Sequence, residues 1–207
     1  MYDCNDGSDE RNCQPIEIDE EIYRKILPPV PKIDEKSVIG VTLDIRKIDE
    51  IDEILMKFHA EVKIILQWRD PRISFGNLAN EGNFLNKFWQ NQIWLPPIAY
   101  SNIEKNLKIA YNGDVIVEIQ RKGKGTPKPI TDLDEGQIFK GDENDLILTA
   151  LQEDYFFCLF ELSEFPFDTQ ECSIDVNIPM EIRNYITLEP RMLIYSGKFS
   201  LSITFYF

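Results

Sequence analysis

The chain has 207 residues, 43% of them hydrophobic and 12% aromatic, which is enough for one domain core and a small appendage. A formal net charge of −14 repels a phosphate backbone and argues against nucleic acid or an anionic membrane as partner. There is no run of about eighteen apolar residues, and the acidic start MYDCNDGSDE is the opposite of a signal peptide.

The four cysteines fall in two close pairs, Cys4 with Cys13 and Cys158 with Cys172. They lack zinc-type spacing and suit an oxidising compartment, so an extracellular protein is expected. Residues 3–13, DCNDGSDERNC, make a compact acidic turn whose oxygens suit a hard cation. The stretch resembles the last third of a low-density-lipoprotein-receptor class A module, which implies calcium ligands at Asp3, Asp9 and Glu10. The upstream ligands of such a module are absent, as are most of its cysteines. No cofactor is therefore expected, calcium standing only as a weak candidate. Cys4 and Cys13 then pair with each other or stay free, and residues 1–14 are expected to be a module remnant or a disordered tail.

Glu17 to Leu27 predicts a short helix, stopped by Pro28-Pro29. The period then changes to two: Ile39, Val41, Leu43 and Ile45 alternate with small or polar residues, the pattern of a strand with one buried face. A longer alternation places Ile54, Met56, Phe58, Ala60, Val62, Ile64, Leu66 and Trp68 on one side and His59 on the wetter one. With no ligand set beside it, His59 is expected to be a surface residue rather than a metal ligand. Gly76 to Asn91 reads as loop, and Trp94-Leu95-Pro96-Pro97 forbids a central strand. Tyr111-Asn112-Gly113-Asp114 signals a hairpin turn before Val115, Val117 and Ile119. Arg121 to Lys128 is a basic, glycine-containing loop, without the following helix that a phosphate cradle needs. Further strands are predicted over Leu146 to Leu162, at Cys172 to Ile178, and at Phe199 to Phe207. Many short strands with almost no helix indicate an all-β sandwich.

Between Cys158 and Cys172 lie thirteen residues centred on Phe165-Pro166-Phe167-Asp168. If the thiols pair they close a short loop, in which Pro166 fixes a turn with an apolar body and one charge at its edge. Such a loop suits docking against another apolar surface. No Ser-His-Asp or Cys-His set assembles around a single histidine, so no enzyme is expected.

Four motifs in order resemble the extracellular ligand-binding domain of the Cys-loop pentameric ligand-gated ion channels. Gln67-Trp68-Arg69-Asp70-Pro71-Arg72 is similar to the tryptophan-x-aspartate-x-arginine end of that family's second strand. Trp94-Leu95-Pro96 is similar to the tryptophan-x-proline of its first ligand loop, and Cys158 to Cys172 to its signature loop. Ser196-Gly197-Lys198-Phe199 resembles the return from its ligand-capping loop. The resemblance implies an immunoglobulin-like twisted β-sandwich with a short N-terminal helix over 15–207. It further implies a Cys158–Cys172 disulfide, and a loop at Phe165, Pro166, Phe167 and Asp168 that transmits binding into gating. The partners it implies are four further subunits, most simply as a homopentamer, a small ligand between subunits, and a membrane domain that this chain does not contain. The location it implies is the extracellular face of the plasma membrane.

By family position the ligand residues fall on Lys63, Ile65, Tyr100, Ser101, Pro179 and Tyr195. Lys63 stands where acetylcholine-type members carry an aromatic, and a lysine there opposes a cationic ligand. Ile65 stands where glycine- and GABA-type members carry an arginine. An atypical pocket with an unassigned ligand follows. Only twenty-four residues separate Cys172 from Gly197, short for that family. Two other readings remain: a secreted soluble binding protein of the same fold, and an extracellular adhesion module.

Overall fold

The computed structural model describes residues 16–19, 21, 23–30, 35–103, 115–128, 136–163, 170–195 and 200–206. The expectations for Cys4, Cys13, Asp3, Asp9, Glu10, the 111–114 turn, residues 165–168 and residues 196–199 fall outside them.

The elements run β1 (Ile16–Ile18), β2 (Ser37–Asp52), β3 (Lys57–Trp68), β4 (Ile73–Gly76), β5 (Phe84–Leu85), α1 (Lys87–Gln90), β6 (Ala99–Tyr100) and β7 (Ile116–Gln120). They continue with β8 (Thr126–Pro127), β9 (Gln137–Lys140), β10 (Asp145–Phe157), β11 (Glu171–Asn177), a 3₁₀ turn at Met180–Ile182, β12 (Ile186–Tyr195) and β13 (Ser200–Tyr206). A six-stranded sheet is ordered β12-β2-β3-β10-β7-β5, a four-stranded sheet β1-β4-β9-β8, and a three-stranded sheet β13-β11-β6. The expected all-β sandwich is thus the observed architecture.

Alternation decides which face is buried. Phe58, Ala60, Val62, Ile64, Leu66 and Trp68 on β3 are buried together with Ile39, Val41, Leu43 and Ile45 on β2. From the three-stranded sheet, Tyr100, Ile174 and Val176 close on them, and the Tyr100 ring meets Phe156 of β10 edge-on at 5.5 Å. Burying such side chains stabilises the fold by about 1.5–3 kcal/mol each, before the opposing chain entropy is counted. Gly141 permits a close approach behind β4. A Cβ there would lie 2.1 Å from the Asp70 carbonyl oxygen and 2.6 Å from that of Ile73.

Several expectations are corrected. The helix over 17–27 is replaced by β1, which pairs with β4 from Ile16↔Phe75 to Ile18↔Ile73, and by isolated turns closed by Tyr23 N→Asp19 O and Leu27 N→Arg24 O. A segment this short scarcely stabilises a helix, whereas the strand buries Ile16. The 76–91 loop contains β5 and the single turn α1, capped by Asn86 Oδ1 accepting from Trp89 N at 3.1 Å. The third strand starts at Lys57, because Met56 is left-handed (φ 51°) and Ile54, 91% exposed, stands in a turn. The tenth ends at Phe157, not Leu162. β7 takes β10 and β5 as its neighbours. β12 was not foreseen; it lies parallel to β2 and carries Pro190 beside a register shift at the sheet edge, where the missing N–H costs least.

Candidate ligand face and coupling end

The tryptophan motifs build an anchor at one end of β3. Trp68 and Trp94 meet edge to face at 6.3 Å. Asp70, 1% exposed, accepts from Arg72 Nε at 2.8 Å and Nη2 at 2.7 Å, and also from the Arg72 backbone N–H at 3.1 Å. Arg72 Nη1 also donates to the Leu27 carbonyl at 2.8 Å, and its guanidinium stacks over the Tyr23 ring. Tyr23 Oη accepts from Trp94 N at 2.7 Å. Burial first, and then the Asp70 charge, push the Tyr23 hydroxyl up to about 12. The motif therefore ties three distant segments to one carboxylate.

The opposite end of the long strands is built by the cysteine loop and the β2–β3 hairpin. Cys158 and Cys172 are disulfide-bonded, with Cα atoms 5.3 Å apart. Cys158 N donates to the Met56 carbonyl at 2.9 Å, fixing the loop beside the hairpin. Asn102 was missed by the sequence reading, since nothing local marks it. Its amide donates to the carbonyls of Phe157 (3.1 Å) and Ser173 (2.8 Å), while its oxygen accepts from Asp175 N at 2.9 Å. It thus staples the entry of the loop to its exit. Further along, Glu161 and Gln170 exchange two hydrogen bonds of 2.8 Å each. The hairpin tip is turned by left-handed Glu50 and Met56 and by Asp52 Oδ1, which accepts from Ile54 N and Leu55 N. Ile54 and Leu55 are exposed there, and Leu159 of the cysteine loop is 88% exposed. Unpaired apolar groups from two elements held together suit a partner surface.

Of the residues expected at a ligand site, Lys63, Ile65 and Tyr195 lie on the six-stranded sheet, Tyr100 and Ser101 at the three-stranded one, and Pro179 just beyond the latter's β11. Lys63 and Ile65 are half-buried on the outward face of β3. Their cross-strand neighbours are Asp44 and Leu151 for Lys63, and Thr42 and Thr149 for Ile65. Ile116 stands beside Thr149, and Met192 beside Thr42, so the row across the sheet is apolar with two threonines. These neighbours come from register and were not legible in the local sequence. Tyr100 and Ser101 lie at β6, whose partner is β11. Tyr100 is 1% exposed, its hydroxyl buried without a hydrogen-bond partner and its titration pushed up by burial, so its ring offers no open face. Ser101 is exposed, its N–H donating to the Asp175 carbonyl at 2.9 Å. Pro179 is half-buried ahead of the 3₁₀ turn, and Tyr195 ends β12 opposite Ile45. No described helix is long and apolar enough to cross a membrane, and no group of metal-binding side chains occurs among the described residues.

Residues 16–129 match the family described as neurotransmitter-gated ion-channel ligand binding domain. The chain is similar to acetylcholine receptor subunit alpha-1-B of Xenopus laevis, 22% identical over 153 residues, covering 73% of this chain and 28% of that protein. It is similar to human gamma-aminobutyric acid receptor subunit rho-1, 23% identical over 162 residues, covering 77% and 28%. A glutamate-gated chloride channel of Drosophila melanogaster is 24% identical over 98 residues, covering 42% and 22%. The chain therefore spans between about a fifth and three tenths of the length of these relatives, which are receptors and channels rather than enzymes. With the match covering more than half of its residues, and the disulfide loop and β-sandwich in place, the chain belongs to the neurotransmitter-gated ion-channel ligand-binding-domain family.

Proposed function

We propose that this chain is the extracellular ligand-binding domain of a pentameric channel subunit, which takes a small ligand between subunits and passes binding to a pore through the Cys158–Cys172 loop. The observation that carries the coupling part is the locked end: the disulfide loop is bonded to the hairpin through Cys158 N→Met56 O, and the pair presents Ile54, Leu55 and Leu159 outward. A membrane domain of the same subunit is the surface such an end would meet. Division of the candidate ligand residues between two sheets suits a site closed by two copies, one giving the Lys63–Ile65 face and the other the Ser101–Pro179 edge. Lys63 with Asp44 beside it, and Ile65 between threonines, gives that face neither the aromatic box for a quaternary amine nor an arginine for a carboxylate.

The test has two arms. Native mass spectrometry of the non-reduced chain should give five times the 24.2 kDa chain mass. The chain spliced ahead of the rho-1 membrane domain should assemble as pentamers at the cell surface, and Leu159→Asp should leave assembly intact while removing channel opening. Monomers in both formats would overturn the reading. Unaltered opening with Leu159→Asp would overturn the coupling part alone.

A further inference from the structure

The sequence holds one histidine, His59, which neither the ligand face nor the coupling end uses. It stands on the outward face of β3 three residues from the hairpin tip, its side chain 16% exposed. Nδ1 lies 2.6 Å from Asp49 Oδ1 on β2, and Nε2 lies 3.7 Å from Glu153 Oε1 on β10. The ring packs on Tyr155 at 4.8 Å between centroids, and the Tyr155 hydroxyl donates to Glu50 at the start of the tip.

A backbone irregularity creates this cluster. Ile45 is buried, and Asp49, four residues later on a regular strand, would point into the core with it. The register shift between Ile45 and Lys47 reverses the alternation, so Ile48 takes the inner side opposite Ala60 and Asp49 comes out opposite His59. The charged and titratable groups around the ring are Lys47, Asp49, Glu50 and Asp52 from β2, Lys57 and Glu61 from β3, and Glu153 and Tyr155 from β10. Of these, Lys47 pairs with Asp49, Lys57 Nζ sits 4.5 Å over the Tyr155 ring, and Glu61 lies 4.0 Å from Arg46. Two carboxylates thus reach the imidazole from opposite sides of its own strand. The hydrogen bond from Lys47 first, and that from His59 second, hold the Asp49 carboxyl below the usual carboxylate range, so it stays an ionised acceptor near neutral pH.

We infer that His59 is a proton-operated brace at the root of the β2–β3 tip: the imidazolium holds Asp49 and Glu153 together across three strands, and the neutral ring holds Asp49 alone. The charged ring has two N–H donors and the neutral ring one. With Nδ1–H committed to Asp49, a neutral ring turns the Nε2 lone pair toward the Glu153 carboxylate, and that contact becomes repulsive. Histidine is a side chain that carries its charge only when protonated, so protonation of the ring sets the brace. Any effect on gating rests on the coupling reading above, whereas the brace itself does not.

A single histidine gives a single labelled ring signal, which makes the test direct in the oxidised 207-residue chain. Ring titration by NMR is compared with protection factors of the Ile54, Leu55 and Cys158 amides, which divide out the intrinsic pH dependence of exchange. From pH 8 to 5 these factors should rise about two- to fivefold, the range an exposed ion pair supports, with the midpoint of the ring titration. His59→Gln, which still donates to Asp49 but carries no proton switch, should lose the step. Glu153→Gln should lose most of it while the ring still titrates. A flat profile in the unmodified chain, or a step that survives in His59→Gln, would overturn the brace. Neither result bears on pentamer assembly, so the two readings fail separately.

Discussion

Asp70→Asn tests the anchor most sharply. The carboxylate is 1% exposed and accepts two guanidinium bonds of 2.8 and 2.7 Å, with the Arg72 N–H at 3.1 Å and the Tyr23 hydroxyl at 3.5 Å. Asparagine fits the space but sets an NH₂ against Arg72, leaving a largely buried cation without its counter-charge. Breaking one side of a buried pair costs about 3–5 kcal/mol. Arg72 keeps the Leu27 carbonyl at 2.8 Å and retains some solvent contact, so the lower end applies, about 3 kcal/mol. Urea unfolding followed by tryptophan fluorescence reads this directly, because Trp68 and Trp94 flank the anchor. With a slope of about 3 kcal/mol/M, the midpoint should fall by about 1 M without a change of slope. Arg72→Met should cost a similar amount, and the double variant little more than either, a coupling approaching about 3 kcal/mol. A shift under about 0.5 kcal/mol for Asp70→Asn, or strict additivity of the pair, would refute the argument.

Cys158→Ser should cost about 3 kcal/mol of unfolding free energy, and reductant should impose the same loss on the unmodified chain but not on the variant. Asp145 is drawn two ways: burial raises its titration, and the donors Arg69, Lys122 and Gln67 together outweigh burial and lower it. A depressed carboxylate contributes stability above its unfolded value of about 3.9 and loses it as pH falls through the lower folded value. Asp145→Asn should thus be about 2 kcal/mol less stable at pH 7, and the gap should close below about pH 4; a gap constant with pH would contradict the linkage. Gly141→Ala, with its Cβ forced onto two carbonyl oxygens, should lose about 3 kcal/mol or more, and circular dichroism melting at the unmodified temperature would contradict the steric argument.

Strands with one buried face were legible because alternation is a local signal: β2, β3, β7 and β11 were anticipated from period-two runs. The helix at 17–27 failed because the partner that recruits Ile16 and Ile18 into a strand, β4, lies more than fifty residues away. β12 escaped because Pro190 and Arg191 interrupt its alternation, and the pairing with β2 that rescues it is more remote still. Of the candidate site, the disulfide and the Trp68–Asp70–Arg72 anchor were readable from spacing and resemblance. Asn102, the cross-strand neighbours of Lys63 and Ile65, and the burial of Tyr100 were not, since each is a consequence of register between segments and not of any residue's own neighbours.

The ladders on the two sides of β3 differ in kind. Toward β10 it is unbroken from Trp68↔Leu146 to Lys57↔Phe157, a length of about 40 Å at the rise of an extended strand. Toward β2 it is interrupted twice, between Ile45 and Lys47 and between Asp49 and Asp52. Mechanically, β3 and β10 form a stiff spar joining the tryptophan anchor to the disulfide end, and β2 is a seam with give. A load at the tip is borne along the spar and relieved at the seam. Displacement therefore concentrates in the few residues between the two breaks, while the candidate ligand face beside Lys63 keeps its register.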